Sequence, residues 1–354
     1  MGTTYFHKVA GQTPTRFWIN NPTMQEAASA LEAGAVGCTT NPTYTAKMYA
    51  DSTERPSIEA DMDDAIGRYR DDSDAAAAVQ RAAVGRIAAR FLRLHEESRN
   101  SLGWVSIQIS PFREEDPMAI VDDALRNCGL GPNIIPKIPA TESGLAAIGE
   151  LIKLGIPIIV TEVMAISQAV AACELYAGSV RRKKPVYFVT HISGILDDYL
   201  KTRAPTAHDP TYLDRTGIAV ARKQYRIMKE RTYPGVLLGG GARGLHHFTE
   251  LVGGDLHVTL NWKKGAEDLI SADPPATQRI NVLDPNRDIA RWEMLLPDFR
   301  TAYSENALQI EEFSSFGPVV HFRNIFVEGW KTLEEAIRSR RERHGKKEQV
   351  VLSR

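Results

Sequence analysis

A lysine in the middle of an apolar run is the feature of this chain that most invites chemistry. Lys137 sits in Ile134-Ile135-Pro136-Lys137-Ile138-Pro139, and a lysine so flanked must lose its charge, pair with a carboxylate or point outward between helices. Burial lowers an amine pKa, and the neutral amine is the form that attacks a carbonyl carbon to give a Schiff base. The competing reading is a solvated lysine at the rim of a strand. Other apolar runs also end in polar residues: Asn20, Thr40 and Asn41, Gln108, Thr161, Thr190 with His191, Arg243, and Thr259 with Asn261. His191 would titrate near neutral pH and is a candidate acid/base, although strand alternation sets it on the opposite face from Thr190 and Ile192. Glu162 meets the same objection beside Thr161. His257 alternates with Thr259 and is read as a packed core histidine. His246 and His247 have no third ligand at metal spacing, so they are read as surface or packing residues and no metal is expected.

Residues at strand ends need a scaffold that brings the ends together. Strand-sized apolar runs occur at Arg16–Asn20, Ala35–Thr40, Trp104–Ile109, Asn133–Ile138, Pro157–Val163, Pro185–His191, Gly235–Gly239 and Asp255–Leu260. Between them lie amphipathic stretches with start and stop signals. Thr23 and Glu26 have the spacing of a capping box, Thr141 opens the stretch that Gly155 closes, and longer helices are expected over about Ser57–Arg70 and Asp74–Glu97. Strands apolar throughout and separated by helices indicate a parallel sheet with a covered outer face, and eight such units predict a closed (β/α)8 barrel, an α/β TIM barrel. An open doubly wound sheet would carry a glycine-rich fingerprint after its first strand. Here that loop reads Asn21-Pro22-Thr23, and the glycines at Gly239–Gly244 come late and lack phosphate-loop spacing. The expected division is a barrel over 1–265 and a C-terminal helical extension over 266–354 packed on it. In a barrel the chemistry sits at the C-terminal ends of the strands, where the polar residues above fall.

Composition narrows the partners. The 354 residues carry 43 Lys and Arg against 44 Asp and Glu, a formal charge of −1, which argues against a nucleic-acid footprint. Hydrophobic residues make up 43% and charged residues 25%, as in folded globular chains. The basic stretch Arg338–Lys347 reads as the solvated end of a C-terminal helix. Cys38, Cys128 and Cys173 form neither a disulfide framework nor a zinc pattern, and no run is long enough to span a membrane, so a cytoplasmic location is expected.

Five collinear stretches carry a family resemblance: Cys38–Lys47 (CTTNPTYTAK), Ile134–Ile148 with its Lys-Ile-Pro-Ala-Thr motif, Ile159–Ala172, Ser193–Leu200 and Gly239–Leu260. Together they resemble the transaldolase family. The resemblance implies a class I aldolase-type barrel without metal or organic cofactor, whose lysine holds a three-carbon dihydroxyacetone unit as a Schiff base until an aldehyde takes it. Lys137 matches that lysine and Thr161 the threonine that helps hold a proton-shuttling water. Asn41, Thr190, Ser193, Gly241 and Arg243 fall at substrate-side positions.

The chain also departs from the family pattern. Asn20 stands where the family has the aspartate that handles the proton of the cleaved hydroxyl, and Gln108 where it has a glutamate. An amide is neither acid nor base near neutral pH. Fructose-6-phosphate aldolases share a glutamine at the Gln108 position but supply a tyrosine where this chain has Ile192. Of the family's phosphate-gripping arginine, serine and second arginine, the matching residues are Ile195, Gly241 and Arg243, so Arg243 alone is retained, and a fifth-strand asparagine is replaced by Ile159. The expected activity is Schiff-base transfer, formation or cleavage of a C–C bond on a specialised or non-phosphorylated, sugar-like carbonyl substrate. The alternatives are a Schiff-base dehydratase or cyclase of secondary metabolism and a non-catalytic binding protein of the same fold. A homodimer is carried over from the family as an expectation.

Overall fold

The computed structural model describes residues 2–179, 184–204 and 210–352. The side chains of Lys346 and Lys347 in the basic tail lie outside the described residues, as do those of their neighbours from 345 onward. Eight parallel strands close on themselves in sequence order: β1 (Arg16–Asn20), β2 (Gly37–Thr39), β3 (Trp104–Gln108), β4 (Ile134–Pro139), β5 (Ile158–Val163), β6 (Tyr187–Ile192), β7 (Val236–Gly240) and β8 (Leu256–Leu260), with β8 pairing β1. The (β/α)8 barrel expected from the alternation is the fold.

Two sides of each strand do different work. Residues such as Phe17, Val105, Ile138 and Val160 belong to the large apolar cluster shared with the surrounding helices. Their alternates Trp18, Trp104, Ile135, Ile159, Phe188 and Leu238 form a separate cluster that fills the lower interior of the barrel. His257 completes this plug, its Nδ1 accepting from Trp18 Nε1 at 2.8 Å, as expected of a packed histidine. One step further along the strands the interior turns polar, with Asn20, Thr39, Gln108, Lys137, Thr161, Thr190 and Thr259. Lys137 therefore stands on an apolar floor.

The helical signals hold where the sequence marks them. Thr23 accepts from the backbone N–H of Glu26, whose carboxylate accepts from Thr23 N at 2.9 Å, and Gly155 closes its helix at φ +80°. Three local features correct or extend the sequence reading. The run expected as a strand over Ala35–Thr40 pairs only over Gly37–Thr39. Pro136 lies inside β4, in register with Ile107, where the ladder tolerates one missing donor. A further helix, Tyr5–Gln12, precedes β1, its Phe6 stacked on Phe17 at 3.9 Å between ring centres.

Beyond β8, helices Glu267–Ala272, Asn286–Leu295 and Pro297–Tyr303 lead to a long C-terminal helix, Gly317–Leu352. This last helix crosses the mouth of the barrel. Near its start it meets Tyr199, in its middle it places Phe326 above Lys137, and further on Arg340 pairs with Glu59 and Asp63 and Arg341 with Asp72. No helix among the described residues is long and apolar enough to cross a membrane.

Candidate active site

Lys137 is 5% exposed, held between the aromatic plug below and the ring of Phe326, whose centre is 5.9 Å from Nζ. Burial pulls its amine down to about 8, while the nearby Glu162 carboxylate pulls weakly the other way. A fraction of the amine is then neutral at physiological pH, as a nucleophile requires.

Glu162 is the residue that reading by alternation misplaces. A regular β5 would turn it outward beside the inward Thr161. Instead β5 slips against β6: Val160 pairs with Val189, yet Val163 pairs with His191, so three steps along β5 face two along β6. The slip is taken up by Glu162 itself, in the left-handed region at φ +59°. The side chain thereby enters the barrel, fully buried, and accepts from Gln108 Nε2 at 2.8 Å. Burial raises its pKa, against the opposing pull of Lys137, the Gln108 hydrogen bond and Arg323. A second carboxyl, Glu114 in the loop after β3, is also buried and raised, first by burial and then by the charge of Glu162. Arg323 of the C-terminal helix lies 2.9 Å from Glu114 and limits the rise. Gln108 Oε1, Thr161 Oγ1, Glu162 Oε2 and Thr190 Oγ1 are buried and find no hydrogen-bond partner among the described residues. Four unmatched polar atoms in the layer that carries Lys137 are what a site awaiting a polar ligand leaves exposed to it.

Asn20 is held at both ends. Its Nδ2 donates to Asn261 Oδ1 at 2.9 Å and its Oδ1 accepts from Thr39 Oγ1 at 2.9 Å, while Thr39 and Thr259 share a 2.7 Å hydroxyl contact. This amide orients neighbours and is neither acid nor base near neutral pH. Asn20, Asn41, Lys47, Arg243, Trp262 and Phe326 are among the residues around an open cleft of about 420 Å³ at the barrel mouth. Within it Asn41 Oδ1 caps the following turn by accepting from Thr43 N and Oγ1 at 3.0 and 2.7 Å.

The corner where family members grip phosphate is apolar here. Gly241 has φ +67°, and a Cβ on it would stand 2.6 Å from Ile192 Cγ2 and 3.1 Å from Ile195 Cγ1. Both isoleucines belong to a cluster that includes Phe322 and Phe326 of the C-terminal helix. Arg243 donates from Nε to Asp198 at 2.7 Å and is thus already paired. Ser193 opens the helix after β6, its backbone packed against Gly217 and its hydroxyl buried without a partner among the described residues.

His191, the candidate acid/base, is not brought to the site. It shares with Val189 the outer side of β6, fully buried, and burial pushes it down to about 4, so it is neutral near pH 7. Of the surface or packing role read for the histidine pair, His247 takes the packing one, although a third group stands close to it. Asp197, His246 and His247 place ligand atoms within 4.8 Å of one another, and His247 is buried. The ligand atoms of His247 and Asp197 are already engaged, however, while among the described residues His246 Nε2 finds no hydrogen-bond partner. His247 Nε2 faces Asp197 at 3.0 Å, its Nδ1 accepts from the backbone N–H of Arg243 and Gly244, and the other Asp197 oxygen accepts from Thr216 and Gly217. The cluster ties the loop after β7 to the helix after β6.

Comparison with known proteins identifies the family. The family model described as transaldolase/fructose-6-phosphate aldolase matches residues 17–295. A transaldolase of Neisseria meningitidis serogroup A is 30% identical over 233 residues, covering 62% of this chain and 64% of that protein. A transaldolase of Thiobacillus denitrificans is 27% identical over 252 residues, covering 64% and 67%. Against the Neisseria protein, then, the chain spans less than two thirds of its relative's length.

Proposed function

This chain belongs to the transaldolase/fructose-6-phosphate aldolase family, and on that premise we propose an aldolase-type transferase that works through a Schiff base on Lys137. The observation that carries the proposal is the setting of that lysine: a buried amine with a lowered pKa, ringed by unmatched polar atoms. In the reaction the neutral amine adds to a ketone carbonyl and water leaves, and the iminium so formed withdraws electrons from the adjacent C–C bond as it breaks. The three-carbon fragment waits as an enamine for an aldehyde. The apolar floor and Phe326 keep bulk water from the intermediate.

The substrate end is specialised. Ile192, Ile195 and Gly241 fill the phosphate corner and Arg243 is tied to Asp198, which supports a non-phosphorylated or otherwise unusual carbonyl compound. At about 1.5–3 kcal/mol for each lost hydrogen bond to a charged group, phosphate binding there is weaker by several kcal/mol. A second reading keeps the Schiff base for dehydration or cyclisation. It is favoured by Asn20, which is engaged at both ends and leaves no base on β1 for the hydroxyl proton of a retro-aldol step. The test is reductive trapping: borohydride with a panel of phosphorylated and free ketoses should leave a reduced adduct on Lys137, and Lys137→Ala should abolish both adduct and turnover. Adducts on the variant equal to those on the parent would refute the mechanism. Turnover without an acceptor aldehyde would select the second reading, and a preference for fructose 6-phosphate like that of ordinary transaldolases would refute the altered pocket.

A further inference from the structure

The Schiff-base reading leaves a chemical question that the family pattern does not answer, since the third-strand carboxylate is an amide in this chain. Forming an iminium needs a group that both takes and gives a proton beside the attacked carbonyl. We propose that Glu162 is that group, a catalytic carboxyl delivered from β5 by the bulge, with Gln108 as its positioning residue; the inference rests on the Lys137 Schiff base proposed above.

Three independent observations converge on it. The backbone at Glu162 adopts a left-handed conformation that is strained for a residue with a Cβ. An outward Glu in a regular strand would avoid that strain, so the strain marks a side chain held inward. The 2.8 Å hydrogen bond from Gln108 Nε2 fixes Oε1 and leaves Oε2 buried and free to exchange a proton. Thr161 Oγ1, adjacent in the chain and also unmatched, supplies a second contact for the same oxygen atoms of a substrate or water. The pair on β3 and β5 thus has the composition of a carboxyl and an amide, with the carboxyl on the other strand from the one the family uses.

The proton inventory closes. Starting from a neutral Lys137 amine and a protonated Glu162, the nitrogen lone pair forms the C–N bond and the carbonyl π pair moves to oxygen. That oxygen takes the Glu162 proton, and the carboxylate takes one proton from the new ammonium centre. Glu162 then protonates the carbinolamine hydroxyl, water departs, and the nitrogen lone pair closes C=N. The products are an iminium cation, one water and the Glu162 carboxylate, so net charge is conserved and the two charges end side by side. The charged and titratable groups facing Glu162 are Lys137 on β4, Glu114 in the loop after β3 and Arg323 on the C-terminal helix. Glu114 favours the protonated carboxyl, whereas Lys137 and Arg323 favour the ionised one, so neither form is locked.

The experiment is the pH dependence of borohydride trapping on Lys137, with dihydroxyacetone and free and phosphorylated ketoses as carbonyl probes. The parent enzyme is expected to give a bell-shaped rate profile whose alkaline limb lies near 8, because the reactive state holds one proton between Glu162 and Lys137. Glu162→Gln keeps the shape and the Gln108 contact. It should slow trapping by about 10²–10⁴-fold and convert the bell into a profile that rises with pH and stays flat. Thermal unfolding confirms that this variant folds, and Gln108→Glu combined with Glu162→Gln, which moves the carboxyl to β3, should recover at least tenfold of the lost rate. A single variant as fast as the parent, an unchanged bell, or a loss that the exchange does not recover would overturn the role of Glu162 while leaving the Lys137 adduct in place. A parent enzyme that traps none of the probes would overturn the Schiff-base reading itself.

Discussion

Replacing the lysine by a residue of similar shape and no charge should make the protein more stable. In an unfolded chain a lysine titrates at about 10.4, whereas burial in the barrel brings Lys137 to about 8. At about 1.4 kcal/mol per pH unit, keeping that ammonium in the barrel at pH 7 costs about 3 kcal/mol. The sign follows from proton counts. Between pH 8 and about 10.4 the folded state binds fewer protons than the unfolded one, so stability attributable to Lys137 rises with pH across that window and the cost is complete below it. Lys137→Met removes the cost and retains the packing volume. Glu162, left with Arg323 as its nearest cation, takes up a proton and keeps its Gln108 hydrogen bond. Urea unfolding at pH 7 should show a gain of about 2–3 kcal/mol over the parent, narrowing steadily and vanishing near pH 10.5. A variant no more stable than the parent at pH 7, or a gain independent of pH, would refute the claim that Lys137 is held in a desolvated, strained state.

Phe326→Ala opens the roof of the site, so the alkaline limb of the trapping profile on Lys137 should move up from about 8 as water reaches the amine, read by mass spectrometry of the reduced adduct. Thr161→Val removes an unmatched hydroxyl and should slow trapping by about tenfold, one hydrogen bond's worth, with unfolding by urea unchanged or shifted toward stability. Asp198→Asn frees Arg243, but the pair is exposed and worth at most about 1 kcal/mol, so inhibition by inorganic phosphate should strengthen no more than about fivefold. A hundredfold change would reveal a phosphate site the apolar corner does not allow. Gly241→Ala forces a Cβ against Ile192 at a left-handed backbone position and should lower the thermal midpoint by an amount equivalent to about 1–2 kcal/mol or more.

The barrel was legible because each strand is apolar on both faces and each intervening helix carries its own punctuation, such as Thr23 with Glu26 and Gly155 after Leu154. Lys137 was legible because a cation inside an apolar run conflicts with its neighbours. The alternation rule also set His191 correctly on the outer side of β6. The same rule failed at Glu162, because it assumes one residue per pleat and the slip between β5 and β6 breaks that assumption. A signal was present: an outward Glu162 would have been buried among Val160, Val163 and a helix with no partner for its charge, as costly as Lys137 itself. The C-terminal helix was expected over the barrel, but its register was not readable, so neither the Phe326 roof nor the Arg323 contact to Glu114 could be foreseen. Asp197 meeting His247 is likewise a product of tertiary contact across 50 positions of sequence.

At Glu162 the chemistry depends on counting as much as on spelling. With one more residue on β5 than on β6 between their paired positions, the carboxyl looks inward. Deleting the residue after it, Val163, would set the same glutamate opposite His191 in a regular strand and send its side chain to the helices. Substitution cannot easily make the same trade: valine, isoleucine and threonine resist the left-handed turn, and of the residues that accept it best, glycine and asparagine bring no acid and aspartate is a methylene short. Insertions and deletions in a barrel strand are usually read as damage to be tolerated. In this barrel, strand length is itself a heritable setting of which group meets the substrate.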